Sequence, residues 1–148
     1  PFVEITRTVQ AGSYDIVFAG TRGAGKWEEF FVGSTAKRLI RKCPTSVWIV
    51  KAEHLVPPKI VLAATDFSDV SLKAVKEGLK IAQYSDAEFH LLHIIDSRDV
   101  PEDLISHIPA GSSLRQTINR EATRRLNEVV ASLAVGQTQI QSHLSWGT

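Results

Sequence analysis

Short apolar runs alternate with amphipathic stretches along the chain. The run that follows Lys59 shows no alternation of apolar and polar positions, which is typical of a strand buried on both faces of a sheet. Glycine, proline or a polar cluster follows most of these runs and limits them to strand length. The pattern predicts strands at residues 15–20, 46–51, 59–64, 88–95 and 139–146.

Between these runs, apolar residues recur every three or four positions, as on the buried side of a helix. Leu72, Val75 and Leu79 have this spacing, and a longer series of the same kind occupies residues 114–133. Further helices are expected at residues 1–13 and 34–43, the second ending before Pro44. The alternation of strand and helix predicts an α/β fold, with a five-stranded, mostly parallel open sheet and helices on both faces.

A glycine-rich loop connects the strand at 15–20 with the helix at 34–43. Gly20 ends the strand, Gly23 follows, and Gly33-Ser34-Thr35 precedes the helix. Glycine lets the backbone come close to a ligand, and the first N–H groups of a helix have no intrahelical partner. Anions are favoured at such a helix N-terminus. The order of strand, glycine-rich loop and helix therefore predicts a phosphate-binding site.

Two common phosphate loops do not fit this stretch. Gly20-x4-Gly25-Lys26 matches most of a Walker A motif, but Trp27 stands where Ser or Thr would bind Mg²⁺. The dinucleotide pattern G-x-G-x-x-G fails because Glu28 occupies the position of its third glycine. The loop is therefore expected to belong to another class of nucleotide site.

The spacing G-x2-G-x9-G-[S/T] after "DIVFAG" resembles the nucleotide motif of the universal stress protein family. The segment "AKRLIRKCPTSVWIVK" and, in the second half, "KIVLAATDFSDVSLKAVKEGLKIAQ" and "AEFHLLHIID" are similar to other parts of that family. The resemblance covers almost the whole chain, but the elements stand in circularly permuted order. Helix 3 to strand 5 of the family precede strand 1 to strand 3. Two explanations stay open, a circular permutant and an excised middle part of a tandem universal stress protein.

The resemblance implies a single Rossmann-like domain over residues 1–148, of the adenine nucleotide alpha hydrolase-like type. Its two segments are residues 1–51 and 59–148, joined by a linker at 52–58. The implied spatial order of strands is 139–146, 88–95, 59–64, 15–20 and 46–51. The strands at 59–64 and 15–20 would thus pair, and a ligand is expected where the strand order reverses between them.

The resemblance also implies which residues hold a nucleotide. Backbone groups of the glycine-rich loop would hold phosphates and ribose, and Arg22 would add charge-assisted contacts. Asp66 would accept hydrogen bonds from ribose or adenine, Ile94 would meet the adenine edge through its backbone, and Ala64 would line the base pocket. The implied nucleotide-binding residues are Ala64, Thr65, Asp66, Ile94, Ala19, Gly20, Arg22, Gly23, Gly33, Ser34 and Thr35. The implied cofactor is ATP, with or without Mg²⁺.

Three polar residues in the second half have other interpretations. Asp66 is equally suited to cap the helix that follows it, because Asp is a common helix cap. His90 and His93 stand three positions apart on one strand and therefore point to opposite faces. We expect no metal site at this pair.

Composition narrows the class of protein. A length of 148 residues suits one domain, and a formal net charge of +1 gives no reason to expect nucleic acid or a membrane surface as partner. The single Cys43 allows no internal disulfide, and no signal peptide or transmembrane stretch is evident in the sequence. These features favour a reducing cytoplasm.

The predicted function is an ATP-binding regulatory module of the universal stress type, serving a stress response. One alternative is a slow ATP-hydrolysing enzyme, although no pair of catalytic carboxylates is evident and no catalytic residue is assigned. The other is an interaction module that dimerises without nucleotide. Whichever of these functions applies, a homodimer is expected, through the edge strand at 46–51 or by exchange of segments.

Overall fold

A computed structural model describes residues 1–21, 32–50, 56–96, 113–133 and 138–147. The chain divides into two units, Pro1–Val56 and Pro57–Thr148, with the boundary in the stretch predicted to be a linker. None of the helices in the described ranges is long and apolar enough to cross a membrane.

The first unit contains a pair of parallel strands joined by a helix. Ile16 lies opposite Ser46 in this pair, and Ala36 and Leu39 provide the buried side of the connecting helix. A helical crossover is the usual connection between parallel neighbours. The elements are α1 (Phe2–Ala11), β1 (Ile16–Gly20), α2 (Ser34–Lys42) and β2 (Ser46–Val50).

The sequence around Pro44 explains how α2 gives way to β2. The Cys43 N–H donates the last helical hydrogen bond to the Leu39 carbonyl at 2.9 Å. Pro44 cannot continue the helix because it has no N–H and its ring clashes with the preceding turn. The Thr45 hydroxyl then donates to the Asp15 carbonyl at 2.6 Å, so the start of β2 is tied to the residue before β1.

The second unit contains three parallel strands in the order β3-β4-β5. Ile60 lies opposite Glu88, and Phe89 lies opposite Ile140. Consecutive strands are again neighbours, each pair separated in sequence by a helix. The elements are β3 (Ile60–Ala64), α3 (Asp69–Ser85), β4 (Glu88–Asp96), α4 (Ser113–Leu133) and β5 (Ile140–Gly147).

The described helices of the second unit, α3 and α4, pack on one face of its sheet. Phe89 and Leu91, which point to this face from β4, are 0% exposed. They form one cluster with apolar side chains of α3 and α4, and the strand residues packed against that cluster include Val61 and Ala63. The cluster also contains the side chains that the helical spacing predicted to be buried, namely Val75, Leu79, Ala82, Leu126, Val129 and Leu133.

The opposite face of this sheet carries exposed apolar residues. Ile60 and Leu62 are each 61% exposed, and Ile94 is 49% exposed. The expectation of helices on both faces of the whole sheet stays a prediction, while the described helices of this unit lie on one face of its strands. The reason lies in connectivity, because successive crossovers that run in the same direction along a sheet place their helices on the same side.

Hydrogen bonding divides the described strands into two sheets, β1-β2 and β3-β4-β5. Within each sheet the neighbours are those predicted. The single five-stranded sheet is not found, because a pair joining residues 59–64 to residues 15–20 is not among the strand pairs of the described ranges. Every described pair joins strands that are consecutive in sequence.

Candidate functional site

The two ends of the glycine-rich loop lie together in the first unit. The Thr21 N–H donates to the Val50 carbonyl at 3.1 Å and so extends the pairing of β1 with β2. The Gly33 N–H donates to the Thr21 carbonyl at 2.9 Å. The loop therefore leaves β1 and returns at the same point. Arg22 and Gly23, two of the predicted contacts, lie outside the described residues.

The N-terminus of α2 begins where this loop closes. Gly33 is its N-cap residue, and no side chain caps the helix. Its first turn contains Ser34 and Thr35 and no acidic residue, so the described part of the helix places no carboxylate at its own positive end. The first N–H groups of α2 also have no intrahelical partner. This end of the helix has the chemistry that binds an anion.

The glycines at this point differ in how much room surrounds them. A Cβ added to Gly20 would meet no atom within 4 Å. A Cβ added to Gly33 would come within 3.4 Å of the Thr21 carbonyl oxygen that holds the loop closed. A side chain at residue 33 would therefore crowd the closure, while Gly20 leaves open space beside the end of β1.

The predicted contacts of the second unit lie where β3 ends. Thr65 is buried, and its N–H donates to the Leu92 carbonyl at 2.9 Å. The Nδ1 atom of His93 lies 2.8 Å from the Thr65 carbonyl oxygen. Ala64 and Asp66, on either side of Thr65, are exposed. These bonds tie the loop after β3 to the neighbouring strand and hold Asp66 at the carboxyl end of the sheet.

Asp66 is an ionised acceptor and not the cap of α3. The cap is Ser68, whose hydroxyl accepts from the Ser71 N–H at 3.2 Å. The Asp66 Oδ1 atom accepts from the Ser68 N–H at 2.9 Å. Hydrogen bonds from the Ser68 side chain, the Ser71 side chain and the Ser68 backbone hold the pKa of Asp66 well below its ordinary value. An exposed carboxylate with one oxygen engaged in this way can still accept hydrogen bonds from a ligand.

Ile94 lies on the exposed face of β4, opposite Ser145 of β5. A Cβ added to Gly147 would come within 2.7 Å of the Ile94 Cγ2 atom, so the small residue at the end of β5 leaves room for this side chain. Ile94 and Asp66 thus belong to the same end of one sheet.

The predicted site residues therefore form two groups. Ala19, Gly20, Gly33, Ser34 and Thr35 belong to the first unit, and Ala64, Thr65, Asp66 and Ile94 belong to the second. The structure brings the members of each group together. That the two groups hold one ligand remains a prediction.

Two histidine contacts were not found by sequence reasoning. His90 and His93 do lie on opposite faces, as expected, but each has a partner far away in sequence. The His90 Nδ1 atom lies 2.8 Å from the His143 Nε2 atom of β5, and His93 contacts Thr65. Only the strand register could have indicated these pairs. In the ranges that the structure describes, no group of three or more His, Cys, Asp or Glu is arranged to hold a metal ion.

Comparisons with known proteins agree with the resemblance seen in the sequence. The model of the family described as "Universal stress protein family" matches residues 1–51 and 58–144. "Universal stress protein E" of Salmonella typhi is 32% identical over 100 residues, which are 62% of this chain and 32% of that protein. The chain thus spans about a third of the length of this curated relative.

A solved structure shows the same fold. The crystal structure of a universal stress protein from Archaeoglobus fulgidus superposes with a TM-score of 0.63 at 22% sequence identity. The match covers 100% of this chain and 47% of that one. The α/β architecture with parallel strands is therefore shared with a solved universal stress protein.

Proposed function

The chain belongs to the universal stress protein family, and we propose that it is a stress-response regulatory module that binds an adenine nucleotide, ATP, with or without Mg²⁺. The phosphates would bind at the start of α2, and the nucleoside would bind at the carboxyl ends of β3 and β4. We also propose that the protein acts in the cytoplasm.

The main support for this proposal is the N-terminus of α2, which has no side-chain cap and begins where the glycine-rich loop closes. The Gly33 N–H is used to close the loop, and the N–H groups of the first helical turn that follow it have no intrahelical partner. The hydroxyls of Ser34 and Thr35 add donors of the kind that bind phosphate. Arg22 would contribute a charge-assisted contact from the loop.

The second group of residues suits the nucleoside. Asp66 is ionised at neutral pH like an ordinary Asp, and hydrogen bonds from the Ser68 and Ser71 side chains lower its pKa further. An ionised carboxylate accepts from ribose hydroxyls. Ile94 offers an apolar surface that is 49% exposed, and Ala64 is exposed beside it at the end of the neighbouring strand. An adenine ring packs on such apolar side chains, while its edge bonds to backbone groups.

Binding of a fluorescent ATP analogue tests the proposal. Ser34→Asp places a negative charge among the proposed phosphate donors and should weaken binding by at least about tenfold, as expected for repulsion combined with loss of a charge-assisted bond. Gly33→Asp should do the same. Ser113→Asp is the matched control, because Ser113 is the first residue of α4 and both helices accept an acid in the first turn.

Binding that is unchanged in Ser34→Asp and Gly33→Asp would contradict the proposed phosphate site. Steady release of phosphate from ATP would instead favour the slow ATP-hydrolysing enzyme. The two assays on the same protein separate a binding module from an enzyme.

A second candidate, a dimerising interaction module, is favoured by the surface of the first unit. Phe18 is 62% exposed and Trp48 is 37% exposed, and their rings stack with centroids 5.5 Å apart across β1 and β2. Exposed aromatic residues beside a free strand edge are a common basis for association between copies. We propose a homodimer through the edge strand at 46–51 or by exchange of segments.

A further inference from the structure

A cavity of about 360 Å³ lies in the second unit, on the helix-covered side of its sheet. This volume is at the lower end of the range for small-molecule sites and suits a ligand with a single ring. None of the residues around it belongs to the proposed nucleotide contacts. Its principal lining residues are Phe67, His93, Ile95, Thr117, Ile118 and Arg125.

The backbone at Phe67 is strained in a way that places its ring in this cavity. Phe67 has a φ of 66°, a left-handed conformation that a bulky side chain rarely adopts. The Thr65 hydroxyl holds it there by accepting from the Phe67 N–H at 2.9 Å, and it also bonds the Ser71 hydroxyl at 3.0 Å. Strain that the surroundings maintain in this way often marks a ligand site.

The walls of the cavity are aromatic and its base is apolar. The rings of Phe67 and His93 lie with centroids 4.1 Å apart and planes tilted by 41°. Ile95 and Ala122 are each only 7% exposed and close the inner end. An aromatic ring is well suited to such walls, because tilted and offset aromatic contacts are favourable.

His93 presents a hydrogen-bond acceptor to this space. Its Nδ1 atom must be the donor in the 2.8 Å contact with Thr65, because a carbonyl oxygen can only accept. In the neutral imidazole, Nε2 then carries a lone pair. This nitrogen has no hydrogen-bond partner within the described ranges. A ligand hydroxyl would satisfy it.

Arg125 supplies a cation at the outer end. Its guanidinium carbon lies 4.4 Å from the centre of the Phe67 ring. Glu121 also lines the cavity, and both of its oxygens accept from Arg124, at 3.0 and 2.6 Å. The hydrogen bond from Arg124, and to a smaller extent the charge of Arg125, lower the pKa of Glu121. Among the lining residues that the structure describes, Arg125 is the guanidinium available to a ligand carboxylate.

We propose that this cavity binds a small single-ring aromatic carboxylate that carries a hydroxyl group. The ring packs against Phe67 and His93, the carboxylate bonds to Arg125, and the hydroxyl donates to His93 Nε2. None of the lining residues is a proposed nucleotide contact, although Thr65, which is one, hydrogen-bonds both Phe67 and His93.

Titration of the whole chain with 4-hydroxybenzoate, followed by NMR and calorimetry, tests the proposal. Saturable binding is expected, with shifts at residues 67, 93 and 117–125. Arg125→Gln should weaken it about tenfold, the usual effect of losing a hydrogen bond to a charged group. Arg120→Gln is the matched control, since Arg120 is an exposed arginine of the same helix that does not line the cavity, and it should change affinity by less than about twofold.

The uncharged analogue 4-hydroxybenzyl alcohol should bind about tenfold more weakly than the acid to the unmodified protein. Absence of saturable binding at millimolar 4-hydroxybenzoate would overturn the proposal, as would an equal loss in Arg120→Gln and Arg125→Gln. The ATP analogue should bind Arg125→Gln as it binds the unmodified chain. A failure of the nucleotide proposal is therefore distinguishable from a failure at this cavity.

Discussion

At the scale of single residues, hydrogen bonds within the loop after β3 determine what each side chain can do. Thr65 is buried and forms hydrogen bonds with three neighbours, Phe67, Ser71 and His93. These bonds make it a structural residue of this loop. Asp66 remains exposed and ionised. The sequence identified Asp66 as a candidate ligand contact, but it could not separate this from a capping role, because Asp is itself a common helix cap.

Replacing Asp66 with Asn should lower the free energy of unfolding by an amount that depends on pH, because the pKa of Asp66 is lowered in the folded protein. A carboxylate whose pKa is lowered on folding stabilises the protein above its unfolded pKa of 3.8, and this stabilisation is lost as pH falls toward the folded value. Urea unfolding at pH 7, 5 and 3 measures it. We expect Asp66→Asn to be less stable than the unmodified chain by the same amount at pH 7 and 5, and the difference to be smaller at pH 3. A difference that is as large at pH 3 as at pH 7 would contradict the hydrogen bonding described for Asp66.

At the scale of helices and strands, the sequence pattern predicted each element of the described ranges to within a few residues. Apolar spacing identified the buried side of α3, with Val75 and Ala82 at 0% exposure, because local periodicity depends directly on which side of a helix is buried. The ends also followed from local chemistry, as at Pro44. The sequence did not predict that α3 and α4 pack on the same face, because this depends on the direction of successive crossovers and not on the pattern of either helix.

The cap of α3 gives a prediction at this scale. Ser68→Ala removes the bond to the Ser71 N–H and should destabilise the protein by about 1 kcal/mol, the usual cost of losing a serine cap. Ser34→Ala is the matched control, because no side chain caps α2, and it should leave stability nearly unchanged. Denaturant unfolding of both variants measures the difference. Equal stability of Ser68→Ala and Ser34→Ala would show that the Ser68 cap contributes nothing.

At the scale of the whole molecule, local sequence patterns predicted less of the structure. Neighbours within β1-β2 and β3-β4-β5 were predicted correctly, since each pair is joined by one helical crossover. A pair between strands that are not consecutive depends on packing across a long stretch of chain, and no local pattern specifies it. For the same reason, the sequence could predict which site residues lie together within each unit. That the two groups form one site remains a prediction.

The exposed aromatic pair, Phe18 and Trp48, leads us to predict that the protein self-associates. If the edge strand at 46–51 joins two copies, sedimentation should show a dimer whose fraction rises with concentration. Trp48→Lys should shift it toward monomer, because a charged residue beside a free edge opposes pairing. Lys59→Ala, an exposed change outside the first unit, serves as the control. A monomer at all concentrations would exclude this homodimer.

The proposal that one nucleotide binds to the site residues of both units is tested most directly by calorimetric titration with ATP, adenosine and tripolyphosphate. We predict that the unmodified chain binds ATP more tightly than either fragment. Ser34→Asp should weaken binding of ATP and tripolyphosphate but not of adenosine, and Asp66→Asn should weaken binding of ATP and adenosine but not of tripolyphosphate. No measurable binding of ATP, or equal ATP affinity in the unmodified chain and both variants, would contradict the account.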